Sequence, residues 1–537
     1  MDWKKKEKGM MRSLYGLGRL SAVLLALVLV LVAASGCIKT SESIREQPTH
    51  TPAPTEETDA EDTEDTEETD AEDVEETDAE DAEETDAEDT EDTEETDAED
   101  TEDTEETDAE DTEDTEETDA EDTEDTEETD AEDTEDTEET DTEDTPVVTL
   151  EGFAVLPADT FADGPPAGAE IEGEYLGGRI APFDSQPVQG VSAVLPGDDD
   201  TYLLMSDNGF GAKDNSADYH LRWYGAEVDF SSGSVEIVGY TELSDPDGHI
   251  SWPIVNENEE DRILTGADFD LESFRKAPDG TFWLGEEFGP FLLHFDAEGK
   301  LLEPPIPTPY PEALEPFARE RPFVQSPQNP DFFHLSDPDA AAEQANQPTS
   351  RGFEGMALNT SGTHLYPLLE GSLVEQPDRT QLLIQEFSLD SGEYTGSYWF
   401  YPLADVSHAI GEMTAISDEE FLVIERDGNQ GEEAEFKRIF KIALDAEGEG
   451  DVVEKQLVVD LMQITDSQGL TTPEEGAIGL GEDFSFPFVT IESVYPVDRE
   501  TLLVINDNNY PFSSGRRPDV APDNTEVILV GLPEPLW

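Results

Sequence analysis

Four short stretches of the chain set a glutamate among small or apolar residues: LESF (Leu271–Phe274), FEGM (Phe353–Met356), GEMT (Gly411–Thr414) and IESV (Ile491–Val494). Their glutamates Glu272, Glu354, Glu412 and Glu492 stand 82, 58 and 80 residues apart, and Gly190 of a related stretch, QGVS, lies 82 residues before the first. Downstream of each stretch a hydrophobic run closes on polar or acidic residues. These runs are TYLLMSDNG (Thr201–Gly209), TFWLGEEFG (Thr281–Gly289), THLYPLLEG (Thr363–Gly371), EFLVIERDG (Glu420–Gly428) and TLLVINDNN (Thr501–Asn509).

If the repeats occupy equivalent places, at least four carboxylates meet in one small space. Two unit charges about 4 Å apart repel by roughly 4 kcal/mol at an effective dielectric of 20, so such a group needs protons or cations. Calcium suits it, because calcium accepts several oxygen ligands in flexible geometry. Asp207, Glu286, Glu287, Glu425, Asp427, Glu492, Asp507 and Asn508 are the expected metal ligands, with Asn208 and Glu370 as further oxygen donors. Taken singly, Asp or Asn before Gly is an ordinary turn former; the recurrence argues for the set. Arg351 precedes Glu354 by three residues, Arg426 sits between Glu425 and Asp427, and Arg438 opens the segment RIFKI. An arginine fork among cation-bound carboxylates fits an anionic oxygen such as that of phosphate, although each arginine can equally form a plain salt bridge.

Other chemistries lack their residues. The sequence has no HExxH, no GxxxxGK and no GxSxG, and its seven histidines are scattered. A single cysteine excludes an intramolecular disulfide framework and cysteine-based zinc sites. With 136 acidic residues against 27 Lys and Arg, a net charge of -109, a nucleic-acid partner is not expected.

The elements that must position these side chains are short apolar runs bounded by Gly, Asp, Asn and Pro, with little helical periodicity after residue 150. Residues 146–537, with 75 acids and 19 bases, read as an all-β domain. A strand pair repeated at irregular intervals fits a β-propeller with loop insertions, six blades being the preferred count and five or seven the alternatives. A pair of β-sandwiches is the competing architecture. The Pro-rich segment Glu303–Pro348 reads as a long loop over one face.

Upstream, residues 56–145 hold 57 acids and no base in variants of ETDAEDTEDTE, so residues 37–145 read as an extended, solvated, disordered stalk. Residues 1–36 read as an export signal: basic residues up to Arg19, an apolar run from Leu20 to Ala34, then Ser35 and Gly36. The following Cys37 resembles the lipidated cysteine of prokaryotic lipoproteins, which implies a membrane anchor and an extracytoplasmic location.

The segments DLESFRKAPDGTFWLGEEFGPFLLHFDAEGKLL, SRGFEGMALNTSGTHLYPLLEG, EFLVIERDG with KRIFKI, and ETLLVINDNN resemble the phytase-like family, also described as having esterase-like activity of phytase. The resemblance runs from about Gly177 to Leu532. It implies an exported propeller whose acids support phosphoester hydrolysis, and it carries Glu272, Glu286, Glu287, Glu354, Glu425, Arg426, Asp507 and Asn508. On this reading Glu354, Glu412 and Glu272 are catalytic, Arg351, Arg426 and Arg438 hold a small anionic phosphoester, and Ca2+ is the cofactor. A non-catalytic, calcium-stabilised binding propeller and a lactonase-like hydrolase are the alternatives.

Overall fold

The computed structural model describes residues 147–537 except 199–200 and 445–447. Cys37, the apolar run before it and the acidic repeats lie outside the described residues.

The apolar runs form five groups of four antiparallel strands, each called a sheet below; the first and fifth are joined through the parallel pair Val155↔Ser234, and the third carries a further parallel strand, Glu449–Val452. The first contains Val191–Pro196, Tyr202–Ser206, Arg222–Asp229 and Ser234–Glu242. The second contains Leu271–Lys276, Phe282–Glu286, Phe291–Phe295 and the short Ile306–Pro307. Phe353–Leu358, His364–Leu369, Gln381–Ser388 and Glu393–Pro402 build the third. Ala409–Ala415, Glu420–Arg426, Lys437–Ala443 and Lys455–Asp460 build the fourth. In the fifth, Ile491–Pro496, Thr501–Asn506 and Thr525–Gly531 are completed by Thr149–Leu156, which runs antiparallel to Thr525–Gly531 from Thr149↔Gly531 to Leu156↔Thr525.

The first strand of every sheet is mostly buried, its glutamates included, whereas an outer strand such as Ser234–Glu242 is mostly exposed. These first strands touch one another in cyclic order, first to second and on to fifth, with the fifth returning to the first. The chain is a β-propeller. Its described residues place five such four-strand groups in the ring, and the chain from Lys437 to Ile491 also carries the short strands Glu449–Val452, Ile464–Thr465 and Asp483–Phe484.

Five apolar clusters seal the ring, one between each neighbouring pair. Met205 and Trp223 meet Phe274 and Leu284; Trp283 and Leu292 meet Phe353 and Leu365; Leu368 and Leu382 meet Met413 and Phe421. Ile424 and Ile439 meet Ile491 and Val504, and Leu503 and Val527 meet Val194 and Leu204. Truncating one of these Leu side chains to Ala costs on the order of 2–5 kcal/mol. The Pro-rich segment contains one short α-helix, Pro338–Gln344, and is fastened to the second sheet: Ser326 Oγ donates to Phe288 O (2.6 Å) and Asn329 Nδ2 to Gly289 O (2.7 Å).

Candidate active site

Each inner strand breaks its register with the next strand at one residue. The shifts fall between Val191 and Ala193, Leu271 and Ser273, Phe353 and Gly355, Ile410 and Glu412, and Ile491 and Ser493. A bulge leaves its extra residue outside the ladder and re-aims that side chain. The residues so released are Ser192, Glu272, Glu354, Gly411 and Glu492. Three of them are the expected glutamates, and Glu272, Glu354 and Glu492 all line one cavity of about 250 Å³.

A second ring lies where the next strands end. The partners facing the bulges are Ser206, Glu286, Leu369, Glu425 and Asn506, and the residues after them are Asp207, Glu287, Glu370, Arg426 and Asp507. All five line the same cavity, with Asp270 beside them. Eight carboxylates and the guanidinium groups of Arg351 and Arg426 thus converge. Gly190, at φ +64°, is required here because a Cβ would fall on the carboxylate of Asp207.

The fourth sheet breaks the acidic pattern twice. Gly411 replaces the bulge acid, and Arg426 replaces the strand-end acid. Arg426 Nη2 lies 2.9 Å from Glu492 Oε1, 3.1 Å from Glu354 Oε1 and 4.0 Å from Glu370 Oε1. Arg351, whose side chain is 45% exposed, contacts Glu370 Oε2 at 2.6 Å. Ser350 beside it holds φ +47° and is tied to the insertion through Gln328, whose Nε2 donates to Ser350 Oγ at 2.9 Å.

Several expected residues stand elsewhere. Glu412 is one position out of register with the other glutamates and pairs instead with Arg275 Nη2 at 2.7 Å. Arg275 also donates to Met413 O (2.6 Å), so it links the inner strands of the second and fourth sheets, which are not neighbours in the ring. Because side chains alternate along a strand, Glu286 and Glu425 point away from the residues that follow them. The Glu286 carboxylate accepts the backbone N–H groups of Phe288, Gly289 and Phe291. Glu425 accepts from Tyr401, Ala404, His408 and Lys455. Asp427 pairs with Lys437 at 2.8 Å, and Arg438 pairs with Asp460 at 3.1 Å on an outer strand. Asn508 is buried and accepts from Gly190 N at 3.4 Å. Asp270 was not foreseen; it directly precedes the second inner strand, and its carboxylate accepts from Asn208 Nδ2 at 2.7 Å.

Burial, reinforced by neighbouring carboxylates, pushes Glu272, Glu287, Glu354 and Asp207 well above the ordinary acidic range. Burial raises Glu492 to about 8, against the pull of Arg426, and Asp270 to about 6. Three overlapping triads can each place an oxygen from every member within 4.8 Å of the others: Asp270, Glu272 and Glu287; Glu272, Glu354 and Glu492; Glu287, Glu354 and Glu370. Calcium–oxygen bonds of about 2.3–2.6 Å span such a set. Glu287, only 5% exposed, has its Oε1 buried without a hydrogen-bond partner, a vacancy of donors that a cation fits.

Residues 186–510 match the family described as "Phytase-like: Esterase-like activity of phytase". The chain belongs to this family. The matched part of the phytase-like chain holds all five inner strands and every carboxylate of the cup, and leaves out the two strands that close the fifth sheet. An uncharacterised secreted protein of Arthroderma benhamiae is 24% identical over 186 residues, 31% of this chain and 36% of that relative. The chain thus aligns with about a third of the length of that curated relative. Similar solved structures include a Dyadobacter fermentans protein of unknown function (11% identity, 72% of this chain and 100% of that chain, TM-score 0.35). A periplasmic gluconolactonase of Pseudomonas aeruginosa is 13% identical, covering 71% of this chain and 99% of its own, with a TM-score of 0.28. Among the described residues no helix is long and apolar enough to cross a membrane.

Proposed function

We propose that this phytase-like propeller is a calcium-dependent hydrolase of small anionic phosphoesters, working outside the cytoplasm. The observation that supports this reading is the set of overlapping carboxylate triads beneath two arginines in one cup. Asp270, Glu272, Glu287, Glu354, Glu370 and Glu492 would hold the cation, which supplies charge neutralisation for a phosphate and a more acidic bound water. Arg351, exposed at the rim, meets the phosphate oxygens. Arg426 orients Glu354 and Glu492. Glu272 has no arginine within ion-pair distance among the described residues; held ionised by the bound cation, it would accept a proton from the attacking water.

The test is phosphate release from a panel of mono- and diesters, phytate and glycerophosphodiesters included, with calcium or with chelator. Turnover that requires calcium and drops at least about a hundred-fold in Glu354→Gln is expected. Hydrolysis of lactones alone would establish the lactonase reading, and calcium-dependent folding without any turnover would establish a binding module.

The secreted relative and the leader-like amino terminus support export, with Cys37 carrying the lipid anchor. Cys37→Ser should release the protein from the membrane fraction into the medium; retention on the membrane would overturn the anchor.

A further inference from the structure

Beside the acidic cup lies a second cavity, of about 640 Å³, walled by the insertion and by the loop after Gly209. The two cavities abut along two chain borders. Gly211 lines the cup and Ala212 the second cavity; Ser350 lines the cup and Thr349 the second cavity. The two cavities thus share a border at Gly211–Ala212 and at Thr349–Ser350.

This neighbour sets an apolar wall beside Lys213 and the carboxylates of Asp214, Asp337 and Asp339. Phe333, 41% exposed, and Leu335 form an apolar wall, with the ring of Phe332 behind them. The Lys213 ammonium lies 4.4 Å from the Phe333 ring centroid and 5.3 Å from that of Phe288. Asp268, Glu286 and Asp214 act on the Lys213 ammonium electrostatically. The walls are pre-formed: Ser216 Oγ donates to Ala212 O (2.8 Å), Asn215 Nδ2 to Phe210 O (3.0 Å), and Gln328 bridges to Ser350.

We infer that this cavity is the subsite for the leaving group, and that the substrates are phosphoesters of an aromatic or similarly apolar alcohol. The phosphate sits over the cup, while the ring of the alcohol lies on Phe333 and Leu335, with the Lys213 ammonium facing its π-system. The inference rests on the phosphoester reading above and narrows it to a substrate class. A hydrophilic polyol ester gains nothing from this wall.

The full chain is assayed with 1-naphthyl phosphate and methyl phosphate, as wild type, Phe333→Ala and Leu335→Ser. The ratio of kcat/KM for the naphthyl over the methyl ester should exceed one in the wild type and fall roughly ten-fold in each variant, the usual weight of a few apolar contacts. Phe333 is on the surface, so its truncation spares the fold, and Leu335→Ser gives a second reading of the same wall. Binding of 1-naphthyl phosphate, followed by its fluorescence, provides a readout independent of turnover. If the wild type hydrolyses neither ester, the hydrolase reading fails, and the subsite is then judged by binding alone. A naphthyl preference and a dissociation constant both unchanged in the two variants would overturn the subsite.

Discussion

Arg426 occupies the position at which each of the other four sheets offers a carboxylate, and it contributes a fixed positive charge to a cup of eight acids. Removing it strands Glu354 and Glu492. Arg426→Ala should therefore lose about 3–5 kcal/mol of stability in chelator, the cost of breaking a buried ion pair. Calcium should restore more of that loss than it adds to the wild type, as measured by urea unfolding with and without the ion. The acids themselves set a pH dependence. Glu492 near 8 and Asp270 near 6 retain protons in the folded chain that ordinary values of 4.5 and 3.8 would release in the unfolded chain. The folded state thus binds more protons between about pH 4 and pH 8, and cation-free stability falls as pH rises through that window. Calcium competes with those protons, so its affinity should rise over the same range and its binding should release protons. Calorimetry in two buffers of different ionisation enthalpy reads that release; none at pH 7 would contradict the assignment.

The bulge is the element that builds the cup, and it also explains what the sequence could and could not reveal. The five strand pairs were legible because an apolar run ending on polar residues is a one-dimensional signal. Glu272, Glu354 and Glu492 were legible because each follows an apolar residue at the head of its strand. The register of the fourth sheet was not, since GEMT offers a glutamate one place beyond the bulge residue Gly411. The same ambiguity hid which member of the Glu286–Glu287 and Asp507–Asn508 doublets faces the cup, because alternation is decided only when the pairing is known. Asp270 carried no repeat signal, as the residues at its place in the other sheets are Gly190, Gly352, Ala409 and Thr490. Gly411 itself is constrained: an added Cβ would fall on the carbonyl oxygen of Ile491 in the adjacent inner strand. Gly411→Ala should cost roughly 1–3 kcal/mol by overpacking, seen as a lower thermal midpoint. A midpoint unchanged from wild type would show that the fourth and fifth inner strands do not approach as described.

At the scale of the whole molecule, the ring is held by five apolar seams and crossed inside by Arg275. That side chain pairs with Glu412 across two non-adjacent inner strands. Replacing one partner leaves a buried charge alone, whereas replacing both leaves a packable apolar pair. Arg275→Met should thus destabilise by about 3–5 kcal/mol, and the double variant Arg275→Met, Glu412→Leu should recover most of that loss. Equal losses in the single and double variants, measured by denaturant unfolding, would count against the pair spanning the channel.

The strand Thr149–Leu156, which completes the fifth sheet, has one further consequence. A ribosome delivers it first, yet its partner Thr525–Gly531 emerges only after every other blade has been made. No nascent intermediate can seal the circle, and each carries an unzipped margin until synthesis is complete.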